Sequence, residues 1–272
     1  MSILKSFVSI IVLGFMLVPV TTLAALTVEQ ADALKTKAEA GDARALSQIK
    51  SAANAGDKNA EYYLGVMLQH GEGVSQNITE AAKWYRKAAD QGDPWAQYNL
   101  GTLYAHGEGV PQDEALAVKW YHKAAGQGHI KAYHNLGYMY SEGKGVTKDL
   151  VEAAKWYRKA ADQGYSDAQY NLGVSYSDGE GVLQDNSEAA KWYRKAADQG
   201  HAAAQNNLAA LYAKGDGVPK DYSQAMMWWI LAKAQGDNSA ANNLVMAERL
   251  STPTQIAEAQ KMAREWWATR KH

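Results

Sequence analysis

The chain has 272 residues, a formal net charge of -1 and a sequence pI near 6.7. Nucleic-acid-binding proteins hold phosphate groups with an excess of Lys and Arg, so this charge balance argues against that class. The sequence contains no cysteine, which excludes disulfide bonds and thiolate metal sites.

Residues 1–24 have the pattern of a secretory signal peptide. An apolar run follows Lys5, and small residues surround Ala24, after which we predict cleavage. The alternative is an uncleaved membrane anchor. The run is shorter than the ~20 residues of a spanning helix, and Gly14 and Pro19 interrupt it. The sequence therefore predicts an exported protein, periplasmic or secreted, that does not insert into a membrane after cleavage.

A twelve-residue segment, AAKWYRKAADQG, occurs unchanged at 81–92, 153–164 and 189–200. Diverged copies begin at positions 45, 117 and 225, so that all six starts are 36 residues apart. A fixed period of about 20–50 residues is typical of stacked repeats. Catalysis normally needs one copy of a site, whereas a solenoid needs the same packing surface in every layer. The copied segment is therefore predicted to be a packing module.

The period also predicts the organisation of the chain. Terminal units of a repeat array are expected to diverge and to turn polar where they face solvent. We predict a signal peptide at 1–24, N-terminal capping helices at 25–56, five repeats at 57–92, 93–128, 129–164, 165–200 and 201–236, and a degenerate C-terminal repeat with a capping helix at 237–272.

Each repeat is predicted to form two helices. In the unit 93–128, Pro94 suits a first helical turn, and Leu100 and Tyr104 belong to an apolar stripe at helical spacing. Paired glycines then end this first helix, because they accept the left-handed conformations of a tight turn. A second helix is predicted to begin near Asp113.

The copied segment is the second helix. Trp84 and Tyr85 fall on a buried face, while Lys83 and Arg86 fall on the opposite face, which we expect to be solvated rather than a track for polyanions. Four units carry Glu or Gln three residues after the capping residue, a spacing that predicts capping boxes. These pairs are Asn77/Glu80, Asp149/Glu152, Asp185/Glu188 and Asp221/Gln224.

A glycine recurs inside the predicted first helices. Glycine in a helix interior costs about 1 kcal/mol relative to alanine, so its repetition indicates that another helix crosses closely at that point. The positions are Gly65, Gly101, Gly137 and Gly173.

The repeated pattern A-x-x-x-L-G-x-x-Y-x-x-G-x-G-V, then D, then A-x-x-W-Y-x-x-A-A-x-x-G, resembles the Sel1-like repeat family. These are α/α repeats related to tetratricopeptide repeats. In the unit 93–128 the matching residues are Ala96, Leu100, Gly101, Tyr104, Gly107, Gly109, Val110, Asp113, Ala117, Trp120, Tyr121, Ala124, Ala125 and Gly128. The resemblance covers roughly residues 57–236.

This resemblance implies an all-α fold, an α/α solenoid in which helix pairs stack into a right-handed superhelix and the first helices line a concave surface. Proteins similar to this one serve as adaptors, as periplasmic regulators of receptors, as secreted factors that bind host proteins, and as immunity proteins against secreted phospholipase effectors. A fold that hosts many partners does not choose among them.

The sequence shows no established catalytic motif. It contains no nucleophile elbow, no P-loop and no His-Glu-x-x-His stretch. His70 and His106 occupy turn positions that hold Glu, Asp or Lys in other units, so we expect them to be solvated rather than ligands. We therefore predict no catalytic residue, no cofactor and no metal site. The alternatives are a hydrolase or transferase, and a module that binds peptidoglycan or another glycan, with either using the same groove.

Recognition is expected where the repeats differ, because their buried positions are nearly identical. On the first helices, Tyr, His and Asn lie away from the apolar stripe and are suited to stacking and amide hydrogen bonds with a protein or an extended peptide. The predicted partner-binding residues on the concave face are Tyr62, Tyr63, Trp95, Tyr98, Asn99, His134, Asn135, Tyr138, Tyr170, Asn171 and Asn207.

Four of these residues carry the prediction of an exposed aromatic row, namely Tyr98, His134, Tyr138 and Tyr170. For the repeated asparagines, stabilisation of helix stacking is an equally good interpretation. The function predicted from sequence is that of a monomeric, non-catalytic protein that binds a protein or an extended peptide and no nucleic acid.

Overall fold

The computed structural model describes residues 25–270, which form fourteen α-helices and no β-strand. The predicted signal peptide and the bond after Ala24 lie outside the described residues. The helices are α1 (Val28–Glu39), α2 (Ala43–Asn54), α3 (Lys58–His70), α4 (Ile78–Asp90), α5 (Pro94–His106), α6 (Glu114–Gly126), α7 (Ile130–Glu142), α8 (Leu150–Asp162), α9 (Ser166–Asp178), α10 (Asn186–Asp198), α11 (Ala202–Lys214), α12 (Tyr222–Ala234), α13 (Asn238–Leu250) and α14 (Pro253–Ala268).

The helices pack as successive antiparallel pairs, and each pair packs against the next one along the chain. Within a repeat, the odd-numbered helix is the first helix and the even-numbered helix is the second. In the pair α5 and α6, Pro94 occupies the first turn, and the first helix ends at Gly107 in the left-handed conformation, with φ 71°. The predicted start of the second helix is confirmed, because Asp113 caps α6 by accepting the N–H of Leu116.

The predicted capping boxes form only in half. In α4 the side chain of Asn77 accepts the backbone N–H of Glu80, as expected, at 3.0 Å. The Glu80 carboxylate bonds instead to Lys83, with 2.9 Å between Oε2 and Nζ. The same carboxylate–lysine pairing occurs three residues apart in α8 and α10. The glutamate therefore stabilises the exposed helix face rather than the helix start.

The Trp-Tyr face forms the core, as predicted. Tyr85, Tyr121 and Trp228 are almost fully buried, and alanines surround them in each layer. The opposite face is less solvated than its charge pattern predicts. Arg86 donates to the hydroxyl of Tyr104 in the following unit, so this arginine connects two layers.

The recurring glycine lies where the tyrosine of the second helix crosses the first. A Cβ atom added at Gly101 would lie 2.9 Å from the ring of Tyr121, and one added at Gly137 would lie 2.5 Å from the ring of Tyr157. Both distances are shorter than any ordinary carbon–carbon contact. The prediction of a close crossing is therefore confirmed, and the crossing element is the second helix of the same pair.

The array ends differently on its two sides. At the N-terminal side, Asp57 accepts the backbone N–H of Leu26, and Asn59 donates to its carbonyl, which holds the segment before α1 against α3. At the C-terminal side, α14 packs mainly along α12. Among the described residues, no helix combines the length and apolar character needed to cross a membrane.

Candidate functional site

Three clefts follow one another along the first helices, and we call them together the first-helix groove. They have volumes of about 340, 360 and 330 Å³ and lie between α5 and α7, between α7 and α9, and between α9 and α11. The first two clefts share Tyr138, and the last two share Val174. The shared residues show that the clefts are consecutive parts of one surface.

The groove repeats the same polar groups at 36-residue intervals. Each cleft is lined by one tyrosine from a second helix and one asparagine from a first helix. These pairs are Tyr121 and Asn135, Tyr157 and Asn171, and Tyr193 and Asn207. Burial raises the pKa of Tyr193 to about 12, so its hydroxyl keeps its proton and can donate a hydrogen bond at neutral pH.

Tyr138 is the most exposed aromatic side chain of the groove, with 43% of its surface accessible. The Nζ atom of Lys144 donates to its hydroxyl at 2.7 Å and lies 4.8 Å from its ring centroid. This contact holds the ring in place at the boundary of two clefts. Tyr138 therefore fulfils the prediction of an exposed ring in this row.

The expectation that Tyr98 and Tyr170 are exposed and outside the core is wrong. Tyr98 is half-buried, and its ring stacks on His129 with 4.5 Å between centroids. Tyr170 is also half-buried and stacks on His201 at 4.7 Å, although one side of it lines the third cleft. Both histidines cap the first helix of the next unit, so these ring pairs connect neighbouring layers.

His134 and the asparagines also carry contacts between units. Asn171 lies in the next unit, and its Nδ2 atom is 3.1 Å from Nε2 of His134, which is itself half-buried. Asn243 forms a similar bond with Asn206 at 3.1 Å. These bonds support the stacking interpretation for asparagine. The side chain of Asn171 also lines the middle cleft, so this residue can both stabilise helix stacking and contact a ligand.

The remaining predicted residues lie away from the three clefts. Tyr62 and Tyr63 are half-buried on α3, with their rings 5.0 Å apart, and Asn99 hydrogen-bonds to Tyr62. Burial raises the pKa of Tyr62 to about 12. Trp95 is exposed but lines a separate cleft with Tyr165, at the N-terminal ends of the first helices.

Tyr121, Tyr157 and Tyr193 line the groove although the sequence predicts their rings to lie in the core, where the structure also places them. Their hydroxyl groups nevertheless reach the groove. The Tyr121 hydroxyl lies 3.3 Å from Oγ1 of Thr102, and the Tyr157 hydroxyl lies 3.4 Å from Oγ of Ser141. The available signal was a small hydroxyl residue in the last two turns of the first helix, Thr102 in α5 and Ser141 in α7.

The groove carries charges of both signs. Glu142, Glu180 and Lys148 line the middle cleft, whereas Asp178 and Lys214 line the third. Within residues 25–270, no group of three or more His, Asp or Glu side chains is arranged to hold a metal ion. The arrangement is suited to hydrogen bonding and stacking with a polar chain.

Comparison with known proteins identifies the repeats. The family model for the Sel1 repeat matches this chain at residues 58–93, 96–129, 130–165, 166–201 and 202–237. The chain belongs to the Sel1 repeat family. A search of curated proteins gave no match.

Two solved structures support the same assignment. The chain is 36% identical to c5321, a protective antigen of uropathogenic Escherichia coli strains with an SLR fold, at a TM-score of 0.79. That match covers 89% of this chain and 54% of c5321, so this Sel1 repeat protein spans about half the length of c5321. A Sel1 repeat protein from Oxalobacter formigenes is 34% identical at a TM-score of 0.72, with 87% and 96% of the two chains covered.

A more distant match is the immunity protein Pa5087 from Pseudomonas aeruginosa. It is 23% identical at a TM-score of 0.46, with 78% of this chain and 84% of that chain covered. At this distance the likeness carries no argument about function.

Proposed function

We propose that this Sel1 repeat protein is an exported, non-catalytic scaffold that binds a protein or an extended peptide along the first-helix groove. The observation that supports the proposal is the run of three consecutive clefts with Tyr138 exposed at the boundary of two of them. Exposed, well-held aromatic rings are frequent anchors of protein interfaces.

The repetition within the groove suits a chain in extended conformation. Packed helices lie about 8–10 Å apart, so neighbouring clefts present equivalent groups at intervals that a few extended residues can span. An extended segment also brings main-chain N–H and C=O groups that need partners. The periodic hydroxyl and amide groups, such as those of Tyr157 and Asn171, are able to supply them.

The substitution Tyr138→Ala tests the proposal. The wild-type protein and the variant are used to capture partners from the periplasmic fraction, and the partner recovered is purified and titrated against both. We expect Tyr138→Ala to weaken binding by about tenfold or more, corresponding to ~1.4 kcal/mol per decade. Because Tyr138 is exposed, its removal should leave helicity and thermal melting unchanged.

The matched control is Leu183→Ala, at a side chain that is 91% exposed in the turn between α9 and α10. This variant should bind like the wild type. A partner that binds Tyr138→Ala as tightly as the wild-type protein would contradict a role for the groove. The recovered partner also separates the finer roles, since an immunity protein would bind and inhibit a secreted phospholipase, whereas a regulator would bind a receptor domain.

A further inference from the structure

A fourth cleft, outside the first-helix groove, lies across the N-terminal ends of α5, α7 and α9. It has a volume of about 350 Å³, and its lining residues include Trp95, Gly128, His129, Ile130 and Tyr165. The Trp95 ring is 53% exposed, and its edge contact with His129, at 4.5 Å between centroids and 82°, fixes its orientation. We call this site the Trp95 cleft.

The Trp95 cleft forms where the repeat pattern is interrupted. In the second and fourth units, the glutamine after the second helix donates to the carbonyl of the preceding layer, as Gln127 does to Gly92 and Gln199 does to Gly164, each at 3.0 Å. Each of these glutamines also bonds to a glutamine of its own first helix. We call this set of bonds the glutamine ladder.

The third unit lacks this bond. Tyr133 stands where Gln97 stands in the second unit, and the side chain of Gln163 forms no hydrogen bond within residues 25–270. The carbonyl of Gly128 therefore receives no ladder bond at the Trp95 cleft. The fifth unit lacks the carbonyl bond as well, because Gln235 bonds to Gln205 and Leu231 and not to Gly200. Of these two glycines, Gly128 lines a cleft together with the exposed Trp95.

The cleft also offers main-chain donors. His129 caps α7 by accepting the N–H of Ala132 on Nδ1, which leaves the N–H groups of Ile130 and Lys131 without an acceptor in the helix. A carbonyl acceptor and two N–H donors consequently lie beside an aromatic face. A ligand with both an acceptor and a donor next to an apolar face would match this set.

The charges around the cleft favour a neutral ligand. Lys131 lines the cleft, and the hydroxyl of Tyr165, which also lines it, donates a hydrogen bond to the carboxylate of Asp167. Burial lowers the pKa of His129 to about 4, so its ring is uncharged at neutral pH. Neither an anionic nor a cationic group would therefore find a net opposite charge here.

We propose that the Trp95 cleft binds an N-acetylhexosamine unit of a glycan. The apolar face of the sugar ring lies against Trp95, with Tyr165 as the second wall, since such rings combine an apolar surface with a polar edge. The acetamido group has one carbonyl and one N–H, which match the N–H groups of Ile130 and Lys131 and the carbonyl of Gly128. This site is independent of the first-helix groove.

Titration calorimetry with N,N′,N″-triacetylchitotriose tests the proposal. We expect the wild-type protein to bind the trisaccharide and Trp95→Ala to weaken binding by about tenfold or more. The matched control is Trp267→Ala, at another exposed tryptophan far along the chain, which should leave binding unchanged. Absence of binding to the wild-type protein, or equal binding by Trp95→Ala, would overturn the proposal.

A second variant tests the main-chain hydrogen bond to the sugar separately from the aromatic contact with Trp95. Ile130→Pro removes one N–H donor, and Pro94 at the equivalent position of α5 shows that the fold accepts proline there. We expect about fivefold weaker trisaccharide binding, the effect of one hydrogen bond, with unchanged helicity. Ser166→Pro, at the equivalent position of α9, is the control and should bind normally.

Two further probes identify the ligand class and its source. Maltotriose has no acetamido group and should not bind, so binding as tight as that of the chitotriose would overturn the assignment to N-acetylhexosamines. A purified muropeptide tests whether the sugar belongs to peptidoglycan. Tighter binding of the muropeptide, lost in Trp95→Ala, would support the site with a cell-wall source, and binding of the chitotriose alone would support it with a free or host glycan.

Discussion

Arg86 on α4 donates a hydrogen bond of 2.7 Å to the hydroxyl of Tyr104, which belongs to the following unit. Its guanidinium group also lies 4.9 Å from the ring centroid of Trp120 in that unit. Arg158 and Arg194 make the same two contacts with the units that follow them. The exposed face of the second helix thus contributes a charged connection between layers.

The second unit has His122 at this position, and replacing it with arginine should stabilise the array. The Nε2 atom of His122 lies 3.3 Å from the Tyr140 hydroxyl, farther than the 2.7 Å between Arg86 and Tyr104. Burial lowers the pKa of His122, which favours the neutral ring. A hydrogen bond from a charged group is worth roughly 1 kcal/mol more than one from a neutral group. We expect His122→Arg to raise the melting temperature by about 2–4 °C in calorimetry.

The control for this prediction is Lys119→Arg, which adds a guanidinium group at an exposed position of the same helix. Its melting temperature should equal that of the wild type. An unchanged melting temperature for His122→Arg would show that the arginine contacts do not stabilise the boundary between units.

Gly137→Ala should destabilise the protein although alanine is the better helix former. The added methyl group would lie 2.5 Å from the Tyr157 ring, so either the ring or the helix must move. Overpacking of a core typically costs about 1–3 kcal/mol. Urea unfolding should therefore show a lower midpoint for the variant.

Gly126→Ala is the matched substitution at a helical glycine with open space around it. This change should raise stability by up to about 1 kcal/mol, the difference in helix propensity. If both variants shift the urea midpoint in the same direction, the close crossing is not what retains glycine at position 137.

The stability of the protein should fall with acidification because of His129. Burial lowers the pKa of this histidine to about 4 in the folded chain, compared with ~6.5 when unfolded, so the unfolded chain binds more protons between these values. The contribution of the neutral His129 to the free energy of unfolding is complete above about pH 6.5. It is lost as the pH falls towards 4, and about 2 kcal/mol is lost by pH 5. Urea unfolding at several pH values measures this slope.

His129→Asn should flatten the slope, because asparagine also caps helices but does not titrate. Asp57 and Asp93 cap the first helices of earlier units, which shows that a small polar side chain fits this position. The exposed His70 provides the control substitution. A His129→Asn variant whose stability falls with pH as steeply as that of the wild type would exclude His129 as the cause.

The double substitution Tyr98→Ala and Tyr170→Ala should lower the melting temperature. Each ring stacks on a histidine that caps the next unit, so both losses affect boundaries between layers. Truncating a half-buried aromatic side chain should cost about 1–3 kcal/mol at each site. Circular dichroism melts measure the effect. A melting curve identical to that of the wild type would show that these ring pairs do not stabilise the boundaries between layers.

The helices, their caps and the Trp-Tyr core could be predicted from the sequence, because their signals lie within one helix or one turn. The half-buried state of Tyr98 could not, since a helical wheel describes one helix and the ring on which Tyr98 stacks lies in the next unit. The Trp95 cleft was missed for a related reason. It depends on a hydrogen bond that Gln163 does not make, and only the packed array reveals that bond in other units.

The interrupted glutamine ladder also has a mechanical consequence. A solenoid transmits tension through each boundary between layers in series, so each boundary resists separation through its own cross-connections. The boundary at Gly128 lacks the bond that its neighbours have, and the arginine connection there is replaced by His122. Under a stretching force, the loss of these two polar connections should leave the boundary at Gly128 more dependent on ring contacts such as Tyr98–His129 than the boundaries at Gly92 and Gly164 are.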